Sequence, residues 1–208
     1  MISITIDPAS LNNVREKLRK SPELLNKAIS GALNDTAKHE RTFISSGIRE
    51  RVNIKKQDID PHIKVGSASG KNLAATVTLR KTDRLSLKYF GATQTKNGVT
   101  YRIKRQQRDA GGGINKRQKP IRGVKGNTKD RLPHAFGPNI SNKLQGHVFE
   151  RSGPKVRLQN GRMGQHIYKR FGPSAWGVFV QSGMRKLVKK DAKAFLAKRL
   201  KQRLQYQT

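Results

Sequence analysis

Ile2, Ile4 and Ile6 alternate with Ser3, Thr5 and Asp7. Alternation sends successive side chains to opposite faces, so the pattern predicts a half-buried strand. The period then changes. Asp7-Pro8 has the chemistry of a cap and first turn, and Leu11, Val14 and Leu18 line one face of a short helix. Ser21-Pro22-Glu23 opens a second helix in the same way. Leu25, Ala28, Ile29, Ala32, Leu33, Thr36, Ala37, Phe43 and Ile44 recur at helical spacing up to Gly47. They predict a long helix over 22–46 with one packed face. The small residues on that face suit close approach to a sheet or another helix.

Arg49 to Asp60 is basic and holds a short expected helix, ended by Asp60-Pro61. Leu73, Ala75, Val77 and Leu79 then alternate with Ala74, Thr76, Thr78 and Arg80. Leu85, Leu87 and Tyr89 follow the same rule, as do Val99, Tyr101 and Ile103. Asn97-Gly98 is a strong hairpin signal. Leu73 to Ile103 therefore reads as an antiparallel meander with one apolar face.

Leu132 to Gly183 contains three short strand-like segments separated by Gly137-Pro138, Ser152-Gly153-Pro154 and Gly172-Pro173-Ser174. Proline lacks an amide donor and glycine permits positive φ, so each group should end a strand and start a reversal. The segments make sense as neighbouring strands, with His147–Arg151 as a hairpin partner. Met184, Leu187, Val188, Ala192, Phe195, Leu196 and Leu200 then give a terminal helix, Met184 to about Gln205, an apolar stripe. Its other positions are mostly Lys and Arg. The expected fold is α+β: a mostly antiparallel sheet flanked by the 22–46 helix and the basic C-terminal helix, in a single domain over 1–208.

Composition changes this picture in one respect. Of 208 residues, 45 are Lys or Arg and 13 are Asp or Glu, a net charge of +32. Self-repulsion on that scale favours anionic partners: nucleic acid, an acidic protein surface or an anionic membrane. The apolar share of 34% implies a modest core and long loops. With no cysteine, disulfides and thiolate metal sites are excluded. The N-terminal stretch lacks the basic and apolar regions of a signal peptide. No stretch approaches the roughly 20 apolar residues of a membrane span.

Lys104 to Arg131 breaks every pattern. It holds Gly111-Gly112-Gly113 and the basic residues Lys104, Arg105, Arg108, Lys116, Arg117, Lys119, Arg122, Lys125, Lys129 and Arg131, against Asp109 and Asp130 alone. It reads as a flexible basic insertion that orders on a partner. Lys104, Arg105, Arg108, Lys116, Arg117, Lys119, Arg122 and Lys125 are the candidate contacts to DNA or to a partner's acidic face.

Catalytic chemistry is not evident. His39, His62, His134, His147 and His166 include no pair at a spacing of three to five. Asp58, Asp60 and His62 read as capping and charge-pairing groups. Gly66-Ser67-Ala68-Ser69-Gly70-Lys71-Asn72 misses a phosphate loop by one residue of spacing and by Asn in place of the magnesium-holding hydroxyl, and reads as a turn. No metal, cofactor or catalytic residue is expected, and no enzyme. Trp176 reads as a core or interface anchor. A basic surface without a base-reading motif binds phosphates without sequence preference.

Pro133, Ala135 and Phe136, then Gly146 to Arg151, then Ile167 and Tyr168, then Gly172 to Ser174 before a long basic helix form an ordered set. In this order the chain resembles the minor tail protein Z family of long-tailed bacteriophages. The N-terminal half agrees more loosely, through Ala28, Ala32, Asn34 and Ala37 and a basic segment near Val52 to Ile63. The resemblance runs from about Pro22 to Gln205. It implies a tail completion protein in the virion, made in the host cytoplasm and placed at the head-proximal neck of the tail. It implies a homo-oligomeric, hexameric ring between the tail terminator and the head-tail connector, assisting head-tail joining and passage of phage genomic DNA, with no membrane partner. The 132–183 module and the terminal helix would then hold subunit contacts, with Phe136, Phe149, Trp176 and Phe179 as the candidates. The alternative reading is a nonspecific basic nucleic-acid-binding protein.

Overall fold

The structure, a computed structural model, describes residues 2–4, 22–81, 84–104, 130–137, 146–157, 159 and 161–205. In chain order the elements are β1 (Ile2–Ile4), α1 (Pro22–Arg51), α2 (Lys56–Ile59), β2 (Ile63–Gly66), β3 (Ala75–Leu79), β4 (Arg84–Ser86), β5 (Thr93–Thr95), β6 (Gly98–Tyr101), β7 (Asp130–Leu132), β8 (Ala135–Phe136), β9 (Phe149–Arg157), β10 (Met163–Lys169), β11 (Phe171–Ser174), α3 (Ala175–Gln181) and α4 (Met184–Gln205). The fold is α+β with antiparallel strand pairing, and the long helices α1 and α4 flank the sheets in the chain. The helix expected over 8–18 and the insertion from Arg105 to Lys129 lie outside the described residues.

The strands form four small sheets where the sequence suggested one. Contacts gather the chain into two compact units. One comprises Met1–Gly47, Ile59–Arg80 and Ser182–Thr208; the other comprises Ile48–Asp58 and Lys81–Gln181.

In the first unit β3 lies between β1 and β2, with Ile2 opposite Val77 and Ile63 opposite Leu79. Ala75, Val77 and Leu79 are buried, and the threonines between them less so, as the alternation requires. Leu25, Ala28, Ile29, Ala32, Leu33, Ala37 and Ile44 form the buried stripe of α1. Met184, Val188, Ala192 and Leu196 form that of α4. The two helices run antiparallel. At one end a Cβ on Gly47 would strike the Met184 thioether, and at the other a Cβ on Gly31 would strike the Arg203 guanidinium. Arg203 also donates to Asp35, at 2.8 Å and 3.1 Å. Small residues at these places let the second helix come close.

α1 runs four residues past Gly47, where the periodicity had suggested it stopped. Gly47 keeps helical φ, because the space it leaves open is taken by Met184 and the helix gains Ile48 and Val52 as buried positions beyond it. Asn34 accepts from the Ala68 amide at 2.7 Å and donates to the Ala68 carbonyl at 3.0 Å. The Gly66–Asn72 segment is thus the expected turn, closed by the Ser69 amide on the Asn72 carbonyl. Asp60 accepts from Ser45 Oγ at 2.7 Å and lies 4.0 Å from Arg41, the charge-pairing role read for it.

In the second unit β5 and β6 form the hairpin marked by Asn97-Gly98, extended by β7. The expected Leu73–Ile103 meander does not form. β3 pairs with β1 and β2, and β4 pairs with β11. Leu87 and Tyr89 fall in a 3-10 turn, Leu87–Phe90, that Gly91 ends in left-handed conformation. Such a turn buries Leu87 and Phe90 three residues apart, a spacing no strand provides. Val52, Leu85, Phe90, Val99, Val148, Val178 and Phe179 make the core.

Ser152-Gly153-Pro154 does not end a strand either; it lies inside β9. Three residues, 153 to 155, stand opposite the single residue Gln165 of β10, so the ladder steps from Gly164–Val156 to His166–Ser152. Gly153 takes φ 88° and its carbonyl accepts from Gln165 Nε2 at 2.9 Å. A bulge leaves residues unpaired, so a proline without an amide donor is tolerated there. Gly172-Pro173-Ser174 likewise lies in β11, at a register shift against β4. Ser174 Oγ then accepts the Gly177 amide at 3.0 Å and caps α3.

Gly98 has φ 108°, and a Cβ there would strike the Leu132 carbonyl oxygen and lie 2.8 Å from Pro133 Cα. Gly98→Ala is expected to destabilise this unit by about 3 kcal/mol, combining backbone strain with a clash against main chain. The chain's single tryptophan, Trp176, lies in the same unit, so urea unfolding read by its fluorescence measures the loss.

Candidate nucleic-acid interface

α4 builds a cationic face from simple spacing. Its buried stripe, Val188, Ala192 and Leu196, repeats every four residues. Lys186, Lys190, Lys193 and Lys201 occur at offsets of four, seven and fifteen and share the opposite side, with Lys189 beside them; all are exposed. Arg185, Lys198 and Arg199 are exposed as well. The helix carries one acid, Asp191, and it faces His39, its Oδ2 lying 2.8 Å from Nε2. No described carboxylate forms an ion pair with the exposed lysines of α4. Such a row of solvated ammonium groups on a rigid helix tracks phosphates without reading bases.

The second unit has its own cationic feature, the β9–β10 ribbon. Arg151, Lys155, Arg157, Lys169 and Arg170 are exposed on it or at its end. Met163, Ile167 and Tyr168 of β10 are also exposed, Ile167 at 55%, as is Phe171 just beyond it in β11. A cleft of about 850 Å³ lies against the ribbon, lined among others by Gln94, Lys96, His134, Phe136, Arg151 and Gln165. The Arg151 guanidinium lies 5.0 Å over the Phe136 ring, which orients it toward the cleft wall. Arg170 and Glu150 are paired.

His147 anchors the ribbon's base. Its Nδ1 lies 2.8 Å from Ser86 Oγ and its Nε2 lies 3.2 Å from Lys169 Nζ. An ammonium can only donate, so Nε2 accepts and Nδ1 carries the proton toward Ser86. Burial holds the imidazole below its ordinary pKa, and the charges of Lys169 and Lys88 act in the same direction. A neutral His147 thus serves as an acceptor for a cation.

The residues expected from sequence fall in different places. Arg105, Arg108, Lys116, Arg117, Lys119, Arg122 and Lys125 lie outside the described residues. Lys104 is only 8% exposed, in a β-bridge with Val52, and offers little to a partner; its main-chain pairing draws it inward. Phe136 and Phe149 sit together, ring centroids 6.2 Å apart, and are half-buried at the ribbon. Phe179 is 0% exposed and packs 6.0 Å from the half-buried Trp176, so it belongs to this unit's own core and leaves no surface for a neighbouring subunit. The α4 lysines are visible in the sequence as a basic face, but the denser charge of 104–131 is the stronger signal there. No family profile, no curated protein and no solved structure matches this chain.

Proposed function

We propose that this chain is a non-enzymatic structural subunit that holds duplex DNA through its phosphates. On the sequence resemblance, the assembly is the head-proximal neck of a long phage tail. There a ring of six copies would join the tail terminator to the head-tail connector and guide the genome through. The observation that carries the DNA part is the α4 face, where exposed lysines recur on one side of a helix whose single carboxylate is engaged elsewhere. The net charge of +32 favours the same partner. A ring lets one such face from each copy line a common lumen. The basic segment from Arg105 to Lys125 is proposed to add contacts to DNA or to an adjoining ring.

The second reading, a protein that coats nucleic acid nonspecifically as single chains, draws on the same charge. The exposed Met163, Ile167 and Tyr168 favour a subunit, since apolar side chains grouped on one ribbon suit protein contacts better than phosphates.

The test has two arms. Binding of random-sequence duplex is expected to weaken by about 10³ between 50 and 200 mM salt with no sequence preference. Gold label on a C-terminal tag is expected at the junction of head and tail in purified particles. Binding insensitive to salt would overturn the phosphate contact. Chain recovered on cellular nucleic acid and absent from particles would overturn the neck assignment and leave the coating protein.

A further inference from the structure

Glu40 is out of place on the packed face of α1. It falls between Ala37 and Ile44 in the buried stripe and is 0% exposed. As a carboxylate it meets no hydrogen-bond donor at either oxygen; only while it keeps its proton does it have a partner, the Asp191 carboxylate. A carboxylate buried without donors is costly, and an aliphatic residue would fill the same place at a gain. Something other than packing is needed to account for it.

Its surroundings supply donors of the same kind. His39 Nε2 lies 2.8 Å from Asp191 Oδ2. One ligand atom from each of His39, Glu40 and Asp191 falls within 4.8 Å of the others. The His39 ring is stacked on Phe195, centroids 3.9 Å apart and planes 4° from parallel, which fixes the direction of its nitrogens. The His39 and Asp191 side chains are each 37% exposed. The cluster thus has a dry inner wall at Glu40 and a mouth open to solvent.

We propose that His39, Glu40 and Asp191 bind a divalent transition-metal ion, zinc best, and that the ion fastens α1 to α4. One imidazole nitrogen and two carboxylate oxygens form a mixed set that suits Zn²⁺ or Mn²⁺ and disfavours Mg²⁺ and Ca²⁺, which take oxygen alone. Three protein ligands leave a fourth position for water at the exposed mouth. The His39–Asp191 separation already matches two ligands on one ion. The ligand atoms now fall within 4.8 Å of one another and have to close further to share one ion. Binding displaces the hydrogen between His39 Nε2 and Asp191 and releases the Glu40 proton to solvent, so the ion takes the place of both and gives the buried carboxylate its counter-charge. The positive charge of the chain works against any cation, so these ligands must outweigh it.

The test uses the full chain stripped with chelator. Calorimetric titration with ZnCl₂ is expected to show one ion per chain with a Kd of about 1 μM. The helical signal at 222 nm is expected to melt several degrees higher with ZnCl₂ and unchanged with MgCl₂. Glu40→Gln and Asp191→Asn should each abolish the zinc response. An equal response in the parent and both variants would place the ion on other histidines and overturn the proposal, as would no response at all. A separate reading needs no variant: Co²⁺ bound to the parent chain should give a visible absorption band of low coordination number. Its absence would also overturn the site.

Discussion

At pH 8.5, in chelator, the Glu40→Gln chain should melt roughly 10 °C above its parent, while at pH 5 the two should nearly coincide. The reason is the Glu40 proton. Burial pushes its carboxyl up from an ordinary 4.5 to about 8, and Asp191 adds to this by accepting the proton and by repelling the charge. In the unfolded chain the group titrates near 4.5. The folded state therefore binds the extra proton over the interval between these values, and stability falls as pH rises through it. The contribution is fully present below pH 4.5 and is lost once pH passes about 8. Between pH 5 and 8.5 the loss is on the order of 4 kcal/mol. Gln keeps the shape and an amide donor for Asp191 and has no proton to lose. Circular dichroism melts of both chains at several pH values measure the gap. Parallel curves would show that Glu40 does not titrate in this range.

The second large effect is on binding. Replacing Lys186, Lys190, Lys193 and Lys201 by Gln should lower affinity for random duplex by about 10³ at 0.1 M salt and cut the slope of log K against log salt by up to about 3.6. Gln has nearly the helix propensity of Lys, so α4 should persist and its circular dichroism should be unchanged. Loss of slope and affinity together identifies phosphate contacts. An unchanged slope would move the DNA contact away from α4 and onto the 104–131 segment.

The sequence pattern was most legible where one face is buried and the other is wet. Met184, Val188, Ala192 and Leu196 marked α4 to its first residue, and Ala75, Val77 and Leu79 marked β3. Asn97-Gly98 marked a hairpin because the turn chemistry is local. What failed was long-range or context-dependent. Nothing in Arg84–Ser86 says that its partner is Phe171–Ser174. Ser152-Gly153-Pro154 has the same composition whether it ends a strand or bulges it, and the deciding group is Gln165 across the ladder. Gly47 reads as a stop only when Met184 is unseen. The His39, Glu40 and Asp191 cluster was missed because a spacing rule looks along one segment, whereas His39 and Asp191 are 152 residues apart. A signal was present: a glutamate within the apolar stripe of one helix, and a lone acid beside the stripe of a basic one.

The way the first unit is threaded bears on how it must be made. Its sheet and most of α1 are encoded early, yet the helix that packs along α1 follows the whole second unit in the chain. During synthesis the second unit can close as soon as α3 leaves the ribosome. The first must wait, with the stripe of α1 uncovered, until α4 is out. For that interval nascent chains carry a sticky face among other proteins. The excess of lysine and arginine then has a use apart from any partner: like-charged chains repel, and the half-built unit is kept from meeting its own kind before it is finished.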